Sequence, residues 1–254
     1  MSHNTLVGGY TQYLTRVQGM PKSTVDGLKK QTDDYIWAKD GEKKANTIAM
    51  TTLQKPKDEG GLGLLDVETR NEAIDAKRLQ TMLLPPDDQP TWCKMAARQL
   101  AKAAVKQFTN VGEEALVSPF TQKWRVNLSS TALPESLRRM MRVATKYNTH
   151  LVATSPSTEI KNSMPFWYHI GNKDKLVSIY GDSWGVCQRE THKIVLTGEM
   201  VNHTSKLNAP GCSHRKNCKC NNCKSDRNLG CENPTACRRN GMKKLQNIIP
   251  DWDP

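Results

Sequence analysis

The sequence predicts a mainly α-helical protein with a few short strands, ending in a small cysteine-rich module. Apolar residues recur at helical spacing in several segments, and prolines and glycines punctuate those segments. Six of the eight cysteines fall within residues 212–237. Three parts are expected: a helical segment over 1–84, a second helical region over 85–205, and a basic cysteine module over 206–254.

Pro21 marks a helix start, because the first turn has no use for its missing N–H. Val25, Leu28, Thr32, Tyr35 and Ile36 follow at helical spacing up to Trp37. Pro56 and Gly60-Gly61 mark a turn, LGLL a short extended run, and Asp66 the cap of a helix over 66–84. Val67, Ile74, Leu79, Met82 and Leu83 form its expected buried stripe. Pro85-Pro86 and Pro90 end it. TWCKMAARQLAKAAVKQF, PESLRRMMRVATKY and TGEMVNHTSKL have helix-forming composition, with starts near Thr91, Pro134 and Thr197. MPFWYH at 164–169 concentrates aromatic bulk and is expected in a core, and 175–194 is expected to supply short strands.

The cysteine block reads CSHRKNCKCNNCKSDRNLGCENPTAC and offers Cys212, His214, Cys218, Cys220, Cys223, Cys231 and Cys237 as donors. It holds one Leu, one Ala and no aromatic residue, so apolar burial cannot fold it. Thiolates gripping zinc can, with one or two ions in a structural role. Disulfides are the competing account and need an oxidising compartment. The N-terminus, MSHNTLVGGYTQYLTRVQGM, has no basic stretch followed by an apolar core and cleavage site, so a nuclear or cytoplasmic rather than secreted location is expected. No run approaches the roughly 18 apolar residues of a membrane span, so no membrane partner is expected. Seven donors suit two ions sharing one bridging thiolate. Six cysteines alone also hold two ions through two bridges, and a single four-ligand site would leave thiols spare. A Cys220-x-x-Cys223 redox pair lacks the βαβ context it would need.

The formal net charge is +12, with Arg215, Lys216, Lys219, Lys224, Arg227, Arg238, Arg239, Lys243 and Lys244 in or beside the block. Such a field attracts phosphate backbones, so nucleic acid, RNA or DNA, is the expected partner, with no small-molecule substrate. A solvated cationic surface that keeps the chain soluble is the plainer reading of the same charges. No aromatic lies between the ligands to stack on bases, which favours backbone contact without sequence readout.

Other motifs carry less. GGLGL lacks the Lys-Ser/Thr of a phosphate loop and reads as a turn. Asp33-Asp34 lies in a helical pattern and Asp87-Asp88 in a proline-bounded loop, so neither reads as a metal-binding aspartate pair. His150, His169, His192 and His203 are scattered and read as packing or surface groups, and Cys93 and Cys187 as buried thiols.

VGGYTQYLTRVQGMPKSTVDGLKKQTDDYIW and LQKPKDEGGLGLLDVETRNEAIDAKRLQTML resemble the region after the polymerase palm in fungal non-LTR (LINE-type) retrotransposon reverse transcriptases. MPFWYH, NCKCNNCKSDRNLGCENPTAC and the closing WDP resemble the stretch before the RNase H domain of the same polyproteins. The resemblance runs nearly end to end and implies thumb-like helices over 1–84, connection helices over 85–205, and a zinc module. Cys218, Cys220, Cys223, Cys231, Cys237 and Asp226-Arg227 align with the family block, while Cys212 has no clear place in it. The family's polymerase and RNase H motifs are expected before Met1 and after Pro254, which implies a non-catalytic nucleic-acid-binding segment. An independent zinc-cluster protein, acting as a DNA-binding regulator or a protein-interaction module, is the alternative.

Overall fold

A computed structural model describes residues 2–39, 42–43, 48–85, 87–149, 155–173 and 181–254, and these are mainly helical. The helices are α1 (Ser2–Gln18), α2 (Lys22–Trp37), α3 (Met50–Gln54), α4 (Val67–Met82), α5 (Thr91–Lys102) and α6 (Glu135–Lys146). They continue with α7 (Thr158–Ser163), α8 (Ser183–Val186), α9 (Thr197–Ser205), α10 (Asn221–Asn228) and α11 (Pro234–Leu245). Among the described residues the only sheet is a two-residue antiparallel pair, β1 (Ala38–Lys39) with β2 (Glu42–Lys43). No described helix is long and apolar enough to cross a membrane. The chain divides into two compact units, Met1–Pro90 with Glu135–Asn148, and Thr91–Pro134 with Thr149–Pro254.

In the first unit α4 is the hub, with α1, α2 and α6 packed on it. Asp66 caps it as its sequence position predicts, its Oδ1 accepting from the Glu68 amide at 3.1 Å. Val67, Leu79 and Met82 are buried, but Leu83 is 43% exposed because the helix ends at Met82. The buried face instead includes Asp75, held by the Arg139 Nε at 3.3 Å. In α2, Val25 and Thr32 are buried while Tyr35, expected on the same stripe, is 75% exposed. The LGLL run joins no sheet and is not extended throughout: Gly63 takes a left-handed φ of 64°, and the amides of Leu62 and Leu64 both donate to the Leu53 carbonyl, at 3.0 and 3.1 Å.

The second unit is built on the aromatic cluster that its sequence announces. Phe166, Trp167, Tyr168 and His169 are all buried. The Trp167 indole donates to the Ile194 carbonyl at 2.7 Å, and Tyr168 meets Phe108 edge-on at 5.3 Å. Gln122, buried beside them, accepts from the Val117 amide and the Trp124 indole and donates to the Ala115 carbonyl. Trp252 packs on His169 and against Gly171, where a Cβ would come within 2.8 Å of the Trp252 side chain. The strands expected over 175–194 are not found in the described part of that range. Asp182 caps a short helix there instead, accepting from the Gly185 amide at 2.6 Å, and residues 174–180 lie outside the described residues.

Candidate metal centre

α9 and α11 pack closely, and Gly241 is what lets them: a Cβ at that position would sit 2.6 Å from the Met200 sulfur. Asn233 caps α11 by accepting from the Ala236 amide, with Pro234 as the first helical residue. This fixes Cys237 on the first turn of α11, facing a five-residue π-helical turn, Cys187–Thr191, that follows α8. The π-type hydrogen bond from the His192 amide to the Cys187 carbonyl, 3.1 Å, stacks residues five apart. Cys187, His192, Cys231 and Cys237 thereby form one group of four donors whose atoms all lie within 4.8 Å of one another. Cys212, Cys218, Cys220 and Cys223 form a second such group, with Cys220 at the N-cap of α10 and Cys223 inside its first turn.

All eight cysteines are free thiols. Within the groups, the Cys218 and Cys212 sulfurs are 4.0 Å apart and those of Cys237 and Cys187 3.9 Å. A tetrahedral zinc–thiolate shell has sulfur–sulfur edges of about 3.8 Å, so the donor sets fit such an ion almost as they stand. In each group one thiol is held low and another pushed high. The hydrogen bond from Cys237 lowers Cys231 to about 4 while the same contact raises Cys237, and burial pushes Cys223 up to about 12 while Ser213 brings Cys218 down to about 5. Sulfurs this close cannot all ionise without a cation between them.

Neighbouring groups support the sulfurs. The Ser213 amide donates to the Cys218 Sγ at 3.3 Å, and the buried His203 Nε2 lies 3.7 Å from the Cys237 Sγ. Arg238 is fully buried. Its Nη1 reaches the Cys223 Sγ at 3.5 Å, and its Nη2 the Asp226 carboxylate and the Asn222 carbonyl. His192, His203 and Asp226 also lie within 4.8 Å of one another, but Asp226 is committed to Arg238 and His192 to the cysteine group. Four protein donors close a tetrahedral shell, which suits a structural ion and leaves no position for substrate.

The expected donor set therefore changes in two places. His214 belongs to neither group: it is exposed, in a left-handed turn (φ 57°), and its carbonyl accepts from Arg239. Cys187 and His192, set aside in the sequence as a buried thiol and a scattered histidine, complete the second group. No sulfur belongs to both groups, so of the arrangements open in the sequence the donors suit two unbridged four-ligand sites. The signal for the missing donors was arithmetic: six cysteines cannot fill two four-donor shells without bridging, and CQRETH upstream offers a Cys and a His five apart. His150 lies outside the described residues, while His169, His203 and Cys93 are buried.

The expected nucleic-acid contacts also divide. Arg238 and Lys244 cannot meet phosphate: Arg238 has no exposed surface, and Lys244, 4% exposed, is held by Asp182 at 2.9 Å and Gln188 at 3.1 Å. Arg227 donates to the Lys216 and Cys218 carbonyls, each at 2.8 Å, and Arg239 to His214, so both brace the module. Arg215, Lys216, Lys219, Lys224 and Lys243 are exposed. Comparisons with protein-family models, curated proteins and solved structures give no match.

Proposed function

We propose that this chain is a non-catalytic nucleic-acid-binding segment whose C-terminal part is organised by two structural zinc ions. One would sit on Cys212, Cys218, Cys220 and Cys223, the other on Cys187, His192, Cys231 and Cys237. The observation that carries this reading is the pairing of two complete soft-donor sets with the exposed cations Arg215, Lys216, Lys219, Lys224 and Lys243. Four thiolates around a divalent ion leave a net dianion, and three thiolates with one imidazole a monoanion. The buried Arg238 offsets part of this, and the exposed cations keep the face basic. The resemblance to the stretch between palm and RNase H of fungal non-LTR reverse transcriptases supports the same role, holding template or primer without sequence readout, with thumb-like and connection helices ahead of the module.

The purified chain tests this directly. Its affinity for oligonucleotides should fall steeply as salt rises, and a zinc chelator should abolish binding. Binding that ignores both ionic strength and chelation would refute the proposal.

A further inference from the structure

The cations left exposed by the module are not spread evenly. Arg215, Lys216 and Lys219 line a single groove of about 1140 Å³, shared with Asn217, Asn221 and Asn222, on the loop that carries the first donor set. No carboxylate lines it. Among the described residues none of these three cationic side chains is engaged by another group, in contrast to Arg227, Arg238, Arg239 and Lys244. Cys220 belongs to both the groove lining and the donor set, so an ion held by this sulfur would also steady the groove. Arg227 braces the loop from the other side through the Lys216 and Cys218 carbonyls.

We infer that this groove is the phosphate-binding site of the module and that its occupant is the sugar–phosphate backbone of a single nucleic-acid strand. The inference rests on the nucleic-acid reading above and narrows it. Three cations on one groove with no acid lining it suit a run of phosphates, and the asparagine amides add neutral donors. A flexible single strand can follow the cations of this open groove with its phosphates, whereas a stiff duplex cannot bend its backbone to fit so short a surface. The lining has no aromatic side chain, so bases are not stacked there and contact is independent of sequence.

The test uses the zinc-loaded full chain with a dT 12-mer and a 12-base-pair duplex. The triple variant Arg215→Ala, Lys216→Ala, Lys219→Ala should keep its zinc and helix content, lose about tenfold or more in affinity for dT12, and show a log–log salt slope shallower by about 2. Lys57→Ala with Lys102→Ala, exposed and outside the cysteine module, should change the slope far less. Lysine acetylation of the unmodified protein guards against a misfolded variant: dT12 should shield Lys216 and Lys219 and leave Lys57 reactive. If the triple variant binds as the parent does, or Lys216 and Lys219 stay reactive, the groove is wrong while the nucleic-acid reading stands. Equal or tighter binding of the duplex overturns the single-strand assignment. Failure of the parent chain to bind either probe removes both.

Discussion

Arg238 shows how far chemistry on the page departs from chemistry in the fold. Beside Arg239 it reads as a surface cation, yet it is fully buried between Asp226 and the Cys223 sulfur. A buried guanidinium is tolerated only where negative charge surrounds it, and removing it strands the partner charges. Arg238→Met should therefore cost about 3–5 kcal/mol in denaturant unfolding, against about 0.5 kcal/mol or less for Lys243→Ala on the exposed side. Equal effects would show that the buried pair contributes nothing special. His169 gives a second residue-scale expectation. Burial, aided by the nearby charge of Lys123, lowers it to about 4, so the folded protein holds it neutral with Nδ1 accepting from the Gly171 amide at 2.9 Å. The unfolded chain takes up a proton near the ordinary value of about 6.5, so stability is present above that pH and is lost as pH falls from about 6.5 towards 4. Thiolate protonation releases metal in overlapping conditions, so the comparison is with His169→Gln: the variant should show a flatter acid limb over this window. An unchanged limb would remove His169 from the account.

At the scale of elements, the decisive piece is the π turn that sets Cys187 and His192 on one side. Cys187→Ser should raise amide exchange over 183–194 and 231–237 while leaving α10 protected. Exchange rising equally in α10 would mean that the two donor sets do not load separately. Helices were the most legible elements in the sequence, because proline, capping Asp66 and apolar spacing act locally: α2, α4, α5, α6 and α9 lie where those signals put them. The MPFWYH core was legible for a related reason, since so much aromatic surface has to be buried. The π turn was not legible. Its register has no composition of its own, and Cys187 reaches its partners across 44 or more residues of chain, a contact that local pattern does not encode. The same limit hid the fate of Arg238 and Lys244, whose partners Asp226 and Asp182 are set by helix packing.

For the whole molecule, the order of donors matters. Cys187 and His192 precede the first donor set and Cys231 and Cys237 follow it, so an ion on the outer set would close a loop that contains the inner one. A metal held by these donors would replace a core in the stretch where apolar residues are fewest, and would tie that stretch to the α8 and α9 region. The first unit has its own apolar core in Val67, Leu79, Met82, Leu137, Met140 and Val143. Chelation should accordingly remove exchange protection from α10 and α11 and leave α4 and α6 protected, and uniform loss across all four would argue against a locally metal-dependent fold. The count of bound zinc by native mass spectrometry puts the account to its sharpest trial. Two ions are predicted in the parent chain and in His214→Ala, and one in His192→Ala; no bound zinc in the parent, a loss with His214→Ala, or two ions retained in His192→Ala would contradict it.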